Sequence, residues 1–174
     1  MAVVVDAPSD RLRAPFLNGF RQTEEHAADL KATIAWARAT AKVPVWLVGT
    51  SRGTQSAAYA ATVLQGADAP DGVVLTATIL TDDKQRPVPA MPLEQIKVPV
   101  LVVHHQQDGC SHCAYSEIPN LMAKLTHTPR SHLITATGGK NQGDACAAFA
   151  YHGFNGLEAD VVGQMADWIL APAR

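Results

Sequence analysis

The residues of this chain best suited to chemistry are a serine, an aspartate and a histidine, which occur in that order. Ser51 lies in a Gly-x-Ser-x-Gly motif, residues 49–53, between a run of β-branched and aromatic residues and an alanine-rich run. This context predicts a strand, a sharp turn and a helix, the arrangement called a nucleophile elbow. We expect a Cβ at either Gly49 or Gly53 to collide with the neighbouring strand or helix.

A serine hydroxyl is a weak nucleophile until a base takes its proton, and the base needs an acid to orient it. Asp108 follows an apolar run, and His152 lies in a later stretch just before the last helical pattern. The order serine, acid, histidine is the one expected after an elbow. We therefore predict Ser51 as nucleophile, Asp108 as orienting acid and His152 as base. The alternative for Ser51 is a plain helix cap.

Other acids and histidines fit these roles less well. Asp82 and Asp83 follow the third predicted strand, but their charged, proline-containing loop favours solvated carboxylates. Four further histidines belong to the ends of predicted strands: His104 and His105 at the exit of the fourth strand, and His127 and His132 at the entry of the fifth.

Length and composition predict one globular domain, residues 1–174. The chain is 47% hydrophobic and 17% charged, with a net charge of -2. Nucleic acid and anionic membranes are therefore not expected partners. No apolar run approaches the roughly 18 residues of a membrane span. The first residues lack the basic start of an export signal, so the sequence as given predicts a cytoplasmic protein.

Hydrophobic periodicity predicts five strands alternating with helices. The predicted strands span residues 2–7, 43–49, 72–80, 99–104 and 132–137. The predicted helices run from Thr23 to about Ala41, over 54–65, within 116–125 and over 157–170, with loops at 81–97 and 138–156. This alternation indicates an α/β fold with a parallel sheet covered on both faces. Ligands bind such sheets outside the carboxyl ends of the strands, where Ser51, Asp108 and His152 all lie.

These residues resemble those of α/β-hydrolases. The matching segments are 49–53, the strand and acid loop 98–108, and His152-Gly153-Phe154, within a resemblance that extends over residues 2–170. The resemblance implies a minimal three-layer sandwich of about five parallel strands with helices on both faces. It also implies acyl transfer through an acyl-enzyme, with the backbone amide of Arg52 as one oxyanion donor. This chemistry needs no metal and no organic cofactor.

Compared with full-length members of that family, the chain lacks the first strands and the loop that supplies a second oxyanion donor. We expect the strand at residues 2–7 to move beside the elbow strand, and the loop at 6–13 to supply the missing donor. An exposed sheet edge then invites a homodimer. Residues 81–97 are too short for a lid domain, so we expect an open site for a small ester substrate. Its candidate walls are Phe16, Met91, Phe149 and Phe154.

The three cysteines leave several interpretations open. The resemblance implies a disulfide between Cys110 and Cys146, because relatives carry one cysteine two residues after the acid and another shortly before His-Gly-Phe. The alternatives are a zinc site built from Cys110, His112, Cys113 and Cys146, a redox Cys-x-x-Cys, and free thiols. A disulfide would indicate export to the periplasm or beyond, in contrast to the missing export signal.

The pattern as a whole favours a serine carboxylesterase that cleaves small acyl esters. An acyltransferase would need the same three residues. The alternative from another class is a non-catalytic subunit of α/β-hydrolase-like fold, which binds a partner through its open sheet edge. The intact serine, aspartate and histidine favour the enzyme, and the missing strands favour the subunit.

Overall fold

A computed structural model describes residues 1–171, in which helices and strands alternate along the chain. The helices are α1 (Glu24–Ala41), α2 (Arg52–Val63), α3 (Ile118–Ala123) and α4 (Glu158–Leu170). The strands are β1 (Trp46–Thr50), β2 (Gly72–Thr76), β3 (Val100–His105) and β4 (Ser131–Ala136). None of these helices is both long enough and apolar enough to span a membrane.

The strands form one parallel sheet in the order β1-β2-β3-β4. Val48 lies opposite Val74, and Val102 lies opposite Leu133. Because every strand is parallel, all the strand exits lie at one edge of the sheet. The α/β class is confirmed, but the sheet has four strands and the expectation of about five is wrong.

The missing strand is the one predicted at residues 2–7. These residues form no strand, and Val4 is 94% exposed. A β-branched run has strand propensity, but a strand exists only where its backbone groups pair with a neighbour and its side chains are covered. Residues 2–7 have no strand to pair with and no cover for their side chains among the described residues, so they do not move beside the elbow strand. Among the described residues, β1 is therefore an edge strand.

Alternate side chains of the inner strands pack on opposite faces of the sheet. Val73 and Leu75 of β2 belong to a cluster with α2 and α3, whereas Val74 belongs to a cluster with α4. Val102 and Val103 of β3 divide in the same way. Strands buried on both faces read as continuous apolar runs, which explains the sequence of β2 and β3. Helices thus cover both faces of the sheet.

Helix α1 lies over α2 and begins where the sequence indicates. The Thr23 hydroxyl accepts a hydrogen bond from the His26 N–H at 3.2 Å, which caps the helix. Ala27, Leu30 and Ile34 pack against α2 through its residue Ala60. The apolar spacing of three and four residues predicted this contact face.

Strand β2 ends earlier than predicted, at Thr76 rather than at residue 80. Ala77 has a positive φ of 44°, which takes the chain out of the sheet. The following residues are still buried, and the backbone N–H groups of Leu80 and Thr81 both donate to the carbonyl of His112. This apolar run therefore supports the loop that carries the cysteines and does not extend the strand.

Candidate active site

Ser51 lies on a strained turn between β1 and α2. Its φ and ψ are 51° and -122°, a conformation that residues with a side chain rarely adopt. The Ser51 N–H donates to the Thr76 carbonyl at 3.0 Å, and the Ser51 carbonyl accepts from the Thr54 hydroxyl at 2.6 Å. The Ser51 hydroxyl itself makes no capping hydrogen bond, which removes the plain helix cap as an explanation of this serine.

The two glycines of the motif differ in what surrounds them. A Cβ on Gly49 would lie 2.5 Å from the carbonyl oxygen of Gly53, so only glycine lets β1 approach the first turn of α2 this closely. A Cβ on Gly53 would have nothing within 4 Å. The predicted collision is therefore real at Gly49 and wrong at Gly53, where the position of a Cβ is open.

Asp108 and His152 are brought together, although they are far apart in the sequence. His152 Nδ1 lies 2.9 Å from Asp108 Oδ2, in a buried pair between the loop after β3 and a 3₁₀ turn at Tyr151–Gly153. Because a carboxylate only accepts hydrogen bonds, Nδ1 donates the proton in this pair. In neutral His152 the lone pair is then on Nε2. That atom is buried and has no hydrogen-bond partner among residues 1–171, Ser51 included.

The Asp108 carboxylate is held from two further directions. Its Oδ1 accepts the backbone N–H of Cys110 at 2.9 Å. His104 Nε2 lies 3.5 Å from Oδ2, four residues earlier in the chain. The sequence suggests His104 only as a rival base. Its contact with the predicted acid has one local signal, the spacing of four residues around the end of a strand.

The ring of His104 is itself fixed by the backbone. Its Nδ1 accepts the Thr78 N–H at 3.3 Å, so its Nε2 donates to the Cys113 carbonyl at 2.8 Å. Burial holds the pKa of His104 below its usual value, and the neighbouring Asp108 only partly offsets this effect. A neutral histidine with both nitrogens occupied positions Asp108 and has no nitrogen left for a reacting proton.

The other rival histidines are also occupied or remote. His105 Nε2 bonds the Gly138 carbonyl at 2.9 Å, its Nδ1 accepts the Gln107 N–H, and its ring stacks on Tyr151 at 4.3 Å between centroids. It therefore supports the turn that carries His152. His127 and His132 are exposed and flank the entry of β4, at the opposite end of the sheet.

A disulfide joins Cys110 to Cys146, as the resemblance implied. It links the loop of Asp108 to the loop of His152, and a cross-link of this kind typically stabilises a fold by about 2–4 kcal/mol. Cys113 is a free, buried thiol. Burial, reinforced by the negative charge of Asp108, raises the pKa of Cys113 to about 12. His112 does not join the cysteines, because its Nδ1 bonds the Thr81 carbonyl.

The side chain of Arg52 forms an ion pair with Asp82. The expectation that Asp82 is solvated is wrong, since its side chain is only 2% exposed, whereas Asp83 is exposed. Burial alone would raise the pKa of Asp82, but hydrogen bonds from the backbone of Lys84 and Gln85 and from Arg52 outweigh it and lower the pKa below its usual value. The pair of a half-buried Arg52 and a buried Asp82 carboxylate fixes the loop after β2 against the elbow.

A cavity of about 400 Å³ lies beside Arg52. One wall is the segment 15–18 and another is the loop 82–85, and the half-buried Arg21 also faces it. Burial and the nearby charge of Arg52 lower the pKa of Arg21. Of the four predicted apolar walls, only Phe16 lines this cavity. The other three do not: Met91 and Phe154 are core residues, and Phe149 is exposed.

One candidate oxyanion donor has the geometry expected of it. Arg52 is the first residue of α2, so its backbone N–H has no acceptor within the helix. The second donor was expected from the loop 6–13 on the premise of a strand beside β1, and that premise is wrong. Residues 9–11 form a 3₁₀ turn, and the Arg11 guanidinium lies 4.2 Å from the ring centre of Phe20.

No protein-family profile matches the chain, and no curated protein matches it. Several solved structures resemble it, and three of them follow. A cold-adapted esterase from an Arctic intertidal metagenomic library has a TM-score of 0.53 at 17% identity, over 77% of this chain and 56% of the esterase. An Agrobacterium tumefaciens protein of unknown function, suggested to be an α/β hydrolase, scores 0.49 at 15% identity, over 85% of this chain and 63% of its own. The esterase domain of a Rhodothermus marinus protein has a TM-score of 0.48 at 14% identity, over 80% of this chain and 67% of that domain's chain.

The similarity to the Arctic esterase identifies the fold as α/β-hydrolase-like. At 17% identity it identifies the fold alone. The chain spans little more than half the length of that esterase, 56%. What this site does must therefore be argued from its own residues.

Proposed function

We propose that the protein is a serine hydrolase that cleaves small acyl esters. The observation that carries the proposal is the pair of His152 and Asp108, which leaves the lone pair of His152 Nε2 unengaged at the same sheet edge as the strained Ser51. A base oriented in this way is what a serine nucleophile needs.

In the proposed reaction, the Ser51 hydroxyl attacks the ester carbonyl while His152 Nε2 takes its proton. The carbonyl oxygen becomes an oxyanion, which the Arg52 N–H stabilises. The alkoxide leaves with the proton from His152, and Ser51 remains acylated. Water then attacks the acyl group and passes a proton to His152, which gives it to the Ser51 oxygen as the acid leaves. His152 Nε2 makes no hydrogen bond to Ser51, and such bonds often tighten only when substrate binds.

The cavity beside Arg52, of about 400 Å³, lies at the low end of the range for ligand pockets. Ser51 and His152 are not among its lining residues, so it is a candidate binding space next to the nucleophile and not around it. Its wall at residues 15–18 is the segment in which we would look for a second oxyanion donor. Loss of one such donor costs about 100- to 1000-fold in kcat, so a hydrolase with only the Arg52 donor is expected to be slow.

The test is hydrolysis of p-nitrophenyl acetate and butyrate by the wild type, Ser51→Ala and Ser56→Ala. Ser56 is a half-buried serine on α2 and serves as the matched control. We expect turnover in the wild type and Ser56→Ala and only background hydrolysis in Ser51→Ala. Equal rates in all three proteins would refute the proposal.

The alternative is a non-catalytic subunit that pairs with a partner through β1. The observations in its favour are that β1 is an edge strand and that no hydrogen bond joins His152 Nε2 to Ser51. A second copy of this chain is one such partner. Light scattering tests this pairing, since a charged substitution on the edge, Val48→Lys, is expected to abolish a dimer made there and to leave a monomer unchanged. The esterase assay decides whether the protein is catalytic.

A further inference from the structure

The cysteines form a cluster with His152, and of this cluster the proposed hydrolysis uses only the histidine. The sulfurs of Cys110 and Cys113 and a ring nitrogen of His152 all lie within 4.8 Å of one another, and all three residues are buried. The sulfur of Cys146 is bonded to that of Cys110. Two buried sulfurs and one imidazole thus converge, and the disulfide holds the sulfur of Cys146 beside that of Cys110.

Two observations indicate that a ligand belongs there. His152 Nε2 is buried without any hydrogen-bond partner, in a residue that is only 4% exposed. Among the described residues, the Cys113 thiol makes one weak hydrogen bond, 3.5 Å to the Ala77 carbonyl. A buried acceptor and a buried thiol with so few partners are costly to leave unsatisfied.

We propose that reduction of the Cys110–Cys146 disulfide creates a zinc site whose ligands are Cys110, Cys113, Cys146 and His152. Three cysteines and one histidine are a common ligand set of structural zinc, and Cys110 and Cys113 have the Cys-x-x-Cys spacing of many such sites. While the disulfide is intact, its two sulfurs are not thiolates and the set is incomplete. The site is therefore controlled by the redox state of the protein.

The distances suit a tetrahedral ion after small movements. With zinc–sulfur bonds of about 2.3 Å and zinc–nitrogen bonds of about 2.0–2.1 Å, tetrahedral ligand atoms lie roughly 3.5–3.8 Å apart. The ligand atoms of Cys110, Cys113 and His152, at most 4.8 Å apart, therefore have to close by about 1 Å. The sulfurs of Cys110 and Cys146, 2.05 Å apart in the disulfide, have to separate to about 3.8 Å once it is reduced. Cys146 is an exposed residue, so a reductant can reach the disulfide from its side.

The redox step is a two-electron exchange. A dithiol donates two electrons and two protons to the Cys110–Cys146 bond, which becomes two thiols, while the dithiol closes to its own disulfide. Zinc then replaces the protons of the three thiols and takes the lone pair of His152. Nδ1 of His152 already bonds Asp108, so Nε2 is the nitrogen left for the metal.

This site would regulate the enzyme, an inference that rests on the proposed function. A metal on Nε2 prevents His152 from accepting the Ser51 proton. The oxidised protein is then active, and the reduced protein is switched off when zinc is present. Loss of a general base costs about 100- to 10,000-fold, so we expect the zinc-loaded, reduced protein to lose at least about 100-fold in kcat.

The experiment uses Co²⁺ as a coloured probe for the metal. The full chain is reduced with a phosphine, which does not compete for metal as a dithiol does, and titrated with Co²⁺ without oxygen. We expect the intense bands of tetrahedral cobalt thiolate at one equivalent, their displacement by Zn²⁺, and no such bands with the oxidised protein. Absence of the bands in the reduced protein would overturn the proposal whatever the activity.

Variants identify the ligands. Cys113→Ser, Cys113→Ala and His152→Gln are each expected to abolish or shift the cobalt bands, whereas His112→Ala, on the histidine beside Cys113, should keep them. Far-ultraviolet circular dichroism checks that each variant is folded. A reduced wild type that remains unfolded in the presence of Co²⁺ would contradict a site built on this geometry. Unchanged bands in His152→Gln would refute His152 as a ligand.

Activity is measured separately so that the two proposals fail in different ways. A protein that binds Co²⁺ as expected but hydrolyses no ester refutes the hydrolase and leaves the metal site. A reduced protein that binds Zn²⁺ at one equivalent and hydrolyses ester as fast as with a chelator refutes the regulation. Recovery of the full rate on adding a chelator is the result we expect.

Discussion

The contrast between Gly49 and Gly53 gives the sharpest prediction about the elbow. In Gly49→Ala the new Cβ would lie 2.5 Å from the Gly53 oxygen and 2.8 Å from the Thr54 nitrogen. Both are backbone atoms in the first turn of α2, so no side-chain rotation relieves the clash. Overpacking of a dense region costs about 1–3 kcal/mol, and we expect the upper end of this range here.

Gly53→Ala is the matched control, because its Cβ meets nothing within 4 Å. Gly53 is the second residue of α2, where alanine is a better helix former than glycine. We expect this variant to change the free energy of unfolding by between 0 and about 1 kcal/mol, in the stabilising direction.

The assay is urea and thermal unfolding followed by circular dichroism. In a protein of this size, 1 kcal/mol corresponds to about 2–4 °C in Tm. A loss of about 3 kcal/mol in Gly49→Ala therefore predicts a Tm lower by about 6–12 °C, with Gly53→Ala at or slightly above the wild type. Equal stability of the two variants, or greater damage from Gly53→Ala, would refute the close approach of β1 to α2.

Two further predictions concern pH. Burial and the charge of Arg21 lower the pKa of His26, whose two ring nitrogens are buried without partners among the described residues. The unfolded chain therefore binds more protons than the folded protein, and the free energy of unfolding falls as the pH drops below about 6.5. We expect His26→Phe, which keeps a ring against Phe20, to raise stability and to reduce this loss in urea titrations at pH 5 and 7; an unchanged pH dependence would contradict it. Asp82 has a lowered pKa, so its contribution is complete above pH 3.8 and is lost as the pH falls further. Asp82→Asn should be less stable than the wild type at pH 6 and closer to it at pH 2. The control Asp83→Asn should match the wild type at both pH values. A difference in stability between Asp82→Asn and the wild type that does not change with pH would contradict the prediction.

The elements that could be predicted from the sequence are those whose signal is local. The helix cap at Thr23, the apolar runs of β2 and β3, and the glycine-flanked Ser51 each determine their own structure. The pairing of Asp108 with His152 was also predictable, because parallel strands bring their exits to one edge of the sheet.

The errors occur where structure depends on distant partners. The run Val3-Val4-Val5 has the composition of a strand, but no neighbouring strand pairs with it. The composition around Asp82 predicts a solvated carboxylate, but the loop after β2 places it against Arg52. The proximity of Cys113 to His152 depends on how the loop after β3 packs against the loop before α4. The sequence of neither loop contains a signal for that packing.

The account depends most on Ser51 being an activated nucleophile, and a fluorophosphonate probe tests this directly. Attack by the Ser51 oxygen forms an oxygen–phosphorus bond and expels fluoride, without need of the natural substrate. We predict one adduct per oxidised protein, on the peptide that contains Ser51, no adduct in Ser51→Ala, and labelling slowed by about 100-fold or more in His152→Gln. A folded wild type that takes up no probe, or that is labelled equally in His152→Gln, would contradict the account.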